Sequence, residues 1–353
     1  MGVVVVGAYG YTGKLICQEF DESGISYMIA GRNEFALNEF KGECEYATKA
    51  LCLDMTVEAD VYELLRCTDI IVNCAGPFEE ESTFFISQVA KAGKKYIDIT
   101  GEVGVLRNSL EELNNIAKSS DSLILHGCAF ESLIVDLILQ QNNQEVKGLK
   151  TYYWFNENRV SPGTKLTMKL SRYRKLYCVI DNDWETFQIE HRFPVRFGEE
   201  ELVAVPYPLP EIAFAKSRFQ CKNAQSYILL SNDEAKYVAH SSSPEVDLAV
   251  ELEKLKKRKS KGPTQEQRTR QRSEIVIEFE NKRGERNAIV LENKDMYGTT
   301  AKAIRLAVQK LLNGNIKLSG VECPAKLFNE EEENILSVLD VSMLNKYFNS
   351  QKC

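Results

Sequence analysis

The chain is 353 residues long, 44% hydrophobic and 27% charged, with a formal charge of −7. That length holds two domains with a sizeable core, and the acidic balance argues against a general nucleic-acid binder. No apolar stretch nears the roughly 20 residues that span a bilayer. The ten cysteines include no C-x-x-C pair and no cysteine–histidine cluster at metal-ligand spacing. No metal is expected, and the cysteines read as small buried hydrophobes in a reducing cytoplasm. The first strand-like run starts at residue 2 and leaves no room before it for a signal or transit peptide, in keeping with a cytoplasmic chain.

Four consecutive valines, 3–6, predict a strand buried on both faces. Gly7, Gly10 and Gly13 follow as G-x-x-G-x-x-G around Ala8, Tyr9, Tyr11 and Thr12, and an apolar helical pattern begins after Lys14. A strand, a tight turn and a helix N-terminus in that order present backbone N–H groups and a favourable dipole to a pyrophosphate. A second strand over 26–30 ends at Gly31, Arg32 and Asn33. In a dinucleotide fold this strand end meets the adenosine ribose, where an acidic residue would bind the 2′-hydroxyl of NAD. Arg32 stands there instead, and its planar cation suits a 2′-phosphate, which favours NADP(H); Glu34 close by leaves NAD(H) open.

The unit then repeats. Strands are expected over 49–54, 69–74, 95–99 and 122–126, with helices over 57–66, 80–92, 105–118 and 130–142. Asp54 ends the third strand in position for an adenine-side contact. Cys74, Ala75, Gly76 and Pro77 form a turn at the nicotinamide half. Six strand–helix alternations in about 128 residues predict a Rossmann domain: a parallel sheet covered on both faces, with ligands at the carboxyl ends of its strands.

After residue 128 the pattern changes to an α+β domain with a mostly antiparallel sheet over 129–329. Its strands are expected over 149–155, 187–191, 227–231 and 235–240, with a hairpin of 274–280 and 286–292. The prolines of 206–210 keep that segment out of a central ladder. Helices are expected over 164–175 and over 299–312, the latter capped by Thr299. Residues 330–353 form a tail with a terminal helix over 335–347.

With these residues in view, the chain resembles the saccharopine dehydrogenase-like oxidoreductases, in the branch of the trans-acting enoyl reductases. The resemblance rests on the G-A-Y-G-Y-T-G opening at 7–13, N-C-A-G-P-F at 73–78 and Y-I-D-I-T-G-E at 96–102. A-F-E-S at 129–132 with Asp136, S-P-G-T at 161–164, G-P-T at 262–264 with Glu266 and Arg268, and 295–301 extend it. Tyr9, Ala129 and Glu131 depart from the family pattern. The resemblance implies hydride transfer between a nicotinamide and an imine, carbonyl or activated alkene. The substrate, a small molecule or acyl compound, would lie between the two domains of a homodimer.

Polar residues at the strand ends are the candidates for acid–base and substrate roles. Glu102 suits an acid/base, or equally a carboxylate at a helix start. His126 suits a proton relay or a satisfied core histidine, and Glu131 a catalytic or a structural hydrogen bond. Thr100, Ser132, Gly163 and Thr164 are substrate candidates, with helix capping the rival use of Ser161 and Thr164. None of the tyrosines has a lysine four positions later, which removes the short-chain dehydrogenase reading. The basic run 254–261, continued by Arg268, Arg270 and Arg272, suits a carrier protein, a phosphate-bearing substrate or an anionic surface, or a solvated helix end. A non-catalytic nucleotide-binding or scaffold protein on the same fold is the alternative to an enzyme.

Overall fold

The computed structural model describes residues 1–78, 81–141, 146–157, 160–171, 174–241, 262–281, 283–314, 316–328 and 335–350. Two compact units emerge: Met1–Leu137 with Tyr297–Ile335, and Ile138–Met296 with Leu336–Cys353.

In the first unit, β1 (Val3–Val6), β2 (Tyr27–Gly31), β3 (Ala47–Cys52), β4 (Ile70–Asn73), β5 (Lys95–Asp98) and β6 (Leu123–Leu125) alternate with helices. These are α1 (Tyr11–Glu22), α2 (Glu34–Lys41), α3 (Glu58–Cys67), α4 (Glu81–Lys91), α5 (Val103–Asn108) and α6 (Asn114–Ser119), with a π turn at Ser109–Leu113 joining the last two; α7 (Phe130–Gln141) follows β6. All strand pairings are parallel, in the order β6-β5-β4-β1-β2-β3, and a seventh strand, Gly320–Glu322, pairs with β6. Every residue of β1 is buried, as a central strand covered on both faces requires. The chain order reverses between β1 and β4, which creates a crevice at their carboxyl ends.

The sequence reading places 297–329 with the second domain and 330–335 with the C-terminal tail. They return to the first unit because the helix Met296–Leu312 buries Ala301, Ile304, Val308 and Leu311 and the following strand extends the parallel sheet. Phe130 N donates to Thr300 Oγ1 at 3.1 Å, and Arg305 pairs with Glu19 at 2.9 Å, fastening this helix within the unit. Thr299 is fully buried inside that helix, so the predicted cap falls four residues late.

The second unit contains β7 (Val146–Phe155), α8 (Pro162–Ser171), β8 (Leu176–Ile180), β9 (Asp183–Phe187), β10 (Phe193–Phe197), β11 (Glu200–Pro206), α9 (Glu211–Phe219), β12 (Asn223–Leu230), α10 (Asn232–Ser241), β13 (Ser273–Asn281) and β14 (Arg286–Asn293). Its sheet is mixed, which corrects the mostly antiparallel expectation. β12 lies beside β7 and runs parallel to it, because the long connection between them returns the chain to the same end of the sheet. Tyr152, Phe187, Phe197, Tyr227 and Val276 form the core on one face.

Three further expectations are corrected here. Residues 187–191 are not a strand: β9 ends at Phe187, and Gln188 N donates to His191 Nδ1 at 3.1 Å to close a 3₁₀ turn. Residues 235–240 are helical, because Ser231 and Glu234 exchange side-chain hydrogen bonds to each other's backbone N–H and start α10. The C-terminal helix covers only Ile335–Val338: Asp340 adopts φ +56°, and Val341–Leu344 then pairs with β14.

Candidate functional site

The three glycines close a tight turn by backbone packing. A Cβ at Gly13 would lie 2.4 Å from Gly7 O, and one at Gly7 (φ +77°) 2.9 Å from Ala75 N. No side chain caps the N-terminus of α1, and no acidic residue stands in its first turn. That end of the helix keeps its positive field directed at the crevice. The second turn closes beside the first: Cys74 N donates to Val6 O at 2.9 Å, and Ala75 N to Asn73 Oδ1 at 3.0 Å. The structure thus brings together 7–13 and 74–77, the predicted pyrophosphate and nicotinamide turns.

Tyr9 reaches across to the end of β2. Its hydroxyl accepts from Asn33 N at 3.2 Å, and a Cβ on Gly31 would meet its ring at 2.4 Å. Arg32 is exposed beside it, and Glu34 opens α2 behind the Asn33 cap. Asp54 accepts from Thr56 N and its hydroxyl at 3.0 and 2.8 Å, which with the nearby Arg32 holds its carboxyl below the usual carboxylate range. The Tyr11 ring packs edge-on against Tyr297.

At the ends of β5 and β6 a buried polar cluster forms. Asp98 Oδ2 lies 2.7 Å from His126 Nδ1, while Oδ1 accepts from Gly127 N at 2.9 Å and Thr100 N at 3.1 Å. Asp98 and His126 are completely buried, and His126 Nε2 has no hydrogen-bond partner among the described residues. Asn73 Nδ2 donates to Tyr96 OH at 3.0 Å in the same cluster. Burial first, and then the negative charge of Asp98, pushes up Tyr96, Cys74 and Cys128.

Glu102 folds back onto its own turn, accepting from Thr100 Oγ1 at 2.8 Å and Gly101 N at 3.0 Å. Ser132 is buried and donates to Gly127 O at 2.7 Å. Glu131 stands in the first turn of α7. Thr100, Glu102, His126 and Ser132 therefore stabilise the loops they occupy. Spacing could not reveal the Asp98–His126 pairing, since 28 residues separate the two.

The remaining candidates lie in the second unit. Ser161 Oγ accepts from Thr164 N at 3.1 Å at the start of α8, the predicted capping use, and Gly163 adjoins this turn. Arg268, Arg270 and Arg272 pair with Asp295, Glu266 and Glu292 at 3.0, 2.6 and 3.6 Å. The run 254–261 lies outside the described residues. Sequence reasoning missed Glu211, fully buried on α9, whose Oε1 accepts from Thr151 Oγ1 at 2.7 Å and Tyr153 OH at 2.8 Å. Its Oε2 has no partner among the described residues, and burial raises its carboxyl above the ordinary value.

A parallel doubly wound unit with a glycine turn at its switch point, followed by a mixed-sheet unit, is the architecture of two-domain dinucleotide-dependent oxidoreductases. No protein-family model matches the chain. A putative trans-acting enoyl reductase of Mycobacterium tuberculosis is 28% identical over 140 residues, 38% of this chain and 33% of that protein. A probable mitochondrial saccharopine dehydrogenase-like oxidoreductase of Arabidopsis thaliana is 28% identical over 160 residues, 40% of this chain and 35% of that one. The matches span about a third of the length of these curated relatives. Apo saccharopine dehydrogenase (L-Glu forming) of Saccharomyces cerevisiae shares the fold over 99% of this chain and 100% of its own, with a TM-score of 0.63 at 11% identity. Over those 140–160 residues the chain is thus similar to proteins named trans-acting enoyl reductase and saccharopine dehydrogenase-like oxidoreductase. No helix among the described residues is long and apolar enough to cross a membrane.

Proposed function

We propose that this chain is an NADP(H)-dependent oxidoreductase acting on an imine, carbonyl or activated alkene. The observation that carries the reading is the packing of Gly7 and Gly13: side chains there would collide with backbone, so the bare turn and the uncapped start of α1 remain open to a pyrophosphate. The bound nicotinamide would supply or accept the hydride. The chain's own part is to hold it, with 7–13 on the phosphates, Arg32 on a 2′-phosphate and 74–77 beside the ring. Asp98, through His126, Gly127 and Thr100, fixes the loops at the adjoining strand ends.

Calorimetric titration with NADPH and NADH tests the proposal; binding of neither overturns it. Arg32→Ala is expected to weaken NADPH about tenfold while sparing NADH, since only the former offers the planar cation a 2′-phosphate.

One observation favours the second reading, a nucleotide-binding protein without turnover. Glu102 accepts hydrogen bonds from its own turn and His126 is fully buried, so two of the three acid–base candidates are engaged by the fold. NADPH that binds but is not oxidised by enoyl thioesters, imines or aldehydes would decide for that reading.

A further inference from the structure

The sheet of the second unit runs β14-β13-β7-β12-β11-β10, and the end of the chain pairs with both of its edges. Val341–Leu344 adds antiparallel to β14, while Phe348 and Asn349 pair with Phe197 and Arg196 of β10. Only residues 345–347 separate the two pairings. Trp154 on β7 and Phe197 on β10 stand three strands apart, about 14 Å across a flat sheet. Their ring centroids nevertheless lie 6.2 Å apart, so the sheet curls and the segment 341–349 bridges the gap between its edges.

Inside the curl, Lys346 Nζ lies 3.8 Å from the centroid of the Phe197 ring and 5.0 Å from that of Trp154. The same ammonium donates to Glu274 Oε2 at 2.7 Å. Glu274 is the direct cross-strand neighbour of Trp154 and is 7% exposed, and Phe197 is 2% exposed. Gly198, at φ +62°, leaves room for the lysine stem: a Cβ there would come within 3.1 Å of Lys346 Cε. Its N–H donates to Tyr347 O at 2.8 Å.

We propose that Trp154, Phe197 and Glu274 form a recognition site for a primary alkylammonium group, and that the C-terminal segment is a tethered ligand filling it with Lys346. The parts suit a cation rather than a neutral chain end. Two ring faces present their negative quadrupole, the carboxylate adds a full charge, and the burial of both strengthens the attraction. Beside the ammonium, the Phe348 ring packs 4.6 Å from that of Tyr152, and Ser350 Oγ donates to the Glu278 carboxylate at 3.0 Å. The ligand class is therefore an extended chain with a lysine-type ammonium and an aromatic ring two residues later. A free alkylammonium competes with a tethered one whose effective concentration is on the order of millimolar or higher. The site thus answers to an outside ligand only when Lys346 is withdrawn or loses its charge.

The test uses two variants of the full chain. Lys346→Ala empties the site and should lower the Tm. n-Butylammonium chloride, the missing side chain as a free molecule, should restore the Tm in a concentration-dependent way. Neither n-butanol nor sodium chloride at the same concentration should do so, and the filled wild-type site should not respond. Lys346→Met keeps the apolar stem without the charge, so it decides the matter should the alanine variant fail to fold. With the segment less firmly held, chymotryptic cleavage after Tyr347 or Phe348, read by mass spectrometry, should rise about tenfold over wild type. Equal rescue by n-butanol, or a methionine variant cleaved no faster than wild type, overturns the proposal. Nucleotide binding enters neither readout, so the outcome is independent of the cofactor assignment.

Discussion

Asp98 and His126, on neighbouring strand ends, meet at 2.7 Å with no exposed surface on either side chain. The same carboxyl group also accepts two backbone N–H groups, so removing it strands three buried donors at once. Asp98→Ala is expected to cost about 3–5 kcal/mol, the range for breaking a buried hydrogen-bonded pair. Urea denaturation followed by near-UV circular dichroism would show it, and a loss below about 1 kcal/mol would refute the load assigned to this carboxyl.

The contact between Tyr9 and Gly31 gives a double-mutant test. A Cβ at Gly31 would come within 2.4 Å of the Tyr9 ring, whose hydroxyl is tied to Asn33 N. Gly31→Ala should destabilise the chain by about 1–3 kcal/mol through overpacking. In a Tyr9→Ala background most of that cost should vanish, because the colliding ring is gone. Equal penalties in the two backgrounds would show that the ring is not what excludes a side chain.

Gly13→Ala differs in that its obstacle is backbone. Its Cβ would lie 2.4 Å from Gly7 O and 2.8 Å from Ala8 O, and neither can turn away as a side chain can. The glycine turn must open or shift, so NADPH affinity should fall at least tenfold, about 1.4 kcal/mol, in a fluorescence titration. Retained affinity would mean that the cofactor does not sit on this turn.

Glu211 predicts a pH dependence in the second unit. Burial raises its carboxyl in the folded chain, so the native state holds a proton that the unfolded state releases near the ordinary glutamate value. Between that value and the raised one the native state binds more protons, and stability falls as pH rises, by at most about 1.4 kcal/mol per pH unit. The contribution is complete in acid and lost above the folded value. Glu211→Gln keeps the shape and the acceptor for Thr151 and Tyr153 and should flatten this slope. Thermal melts of both proteins across the acid-to-neutral range check the sign.

The parallel unit was legible because its signals are local. Valines 3–6 are hydrophobic enough to be buried on both faces, and each later strand is followed by a helical pattern. The mixed sheet was less legible, since partner choice in a sheet is set at long range. Nothing within β7 or β12 announces that they run parallel. The helix α10 did carry a local signal, the Ser231-to-Glu234 capping box, which the alternating pattern of 235–240 obscured. At the candidate site the glycines, Arg32 and the 74–77 turn could be read from position, while the roles of Glu102 and His126 depended on their partners.

By itself, the sequence determined the glycine turn, the strand that feeds it, the helix that follows and the cation at the end of the second strand. Each depends on backbone permissiveness, burial or charge within a few residues. Only the tertiary structure decided that Asp98 meets His126, that Glu211 is buried and that residues 297–335 return to the first unit. Those outcomes join segments separated by between 28 and 286 residues, as Asp98 with His126 and Glu19 with Arg305 illustrate. Chain entropy leaves such pairings open until the packing of whole elements selects them.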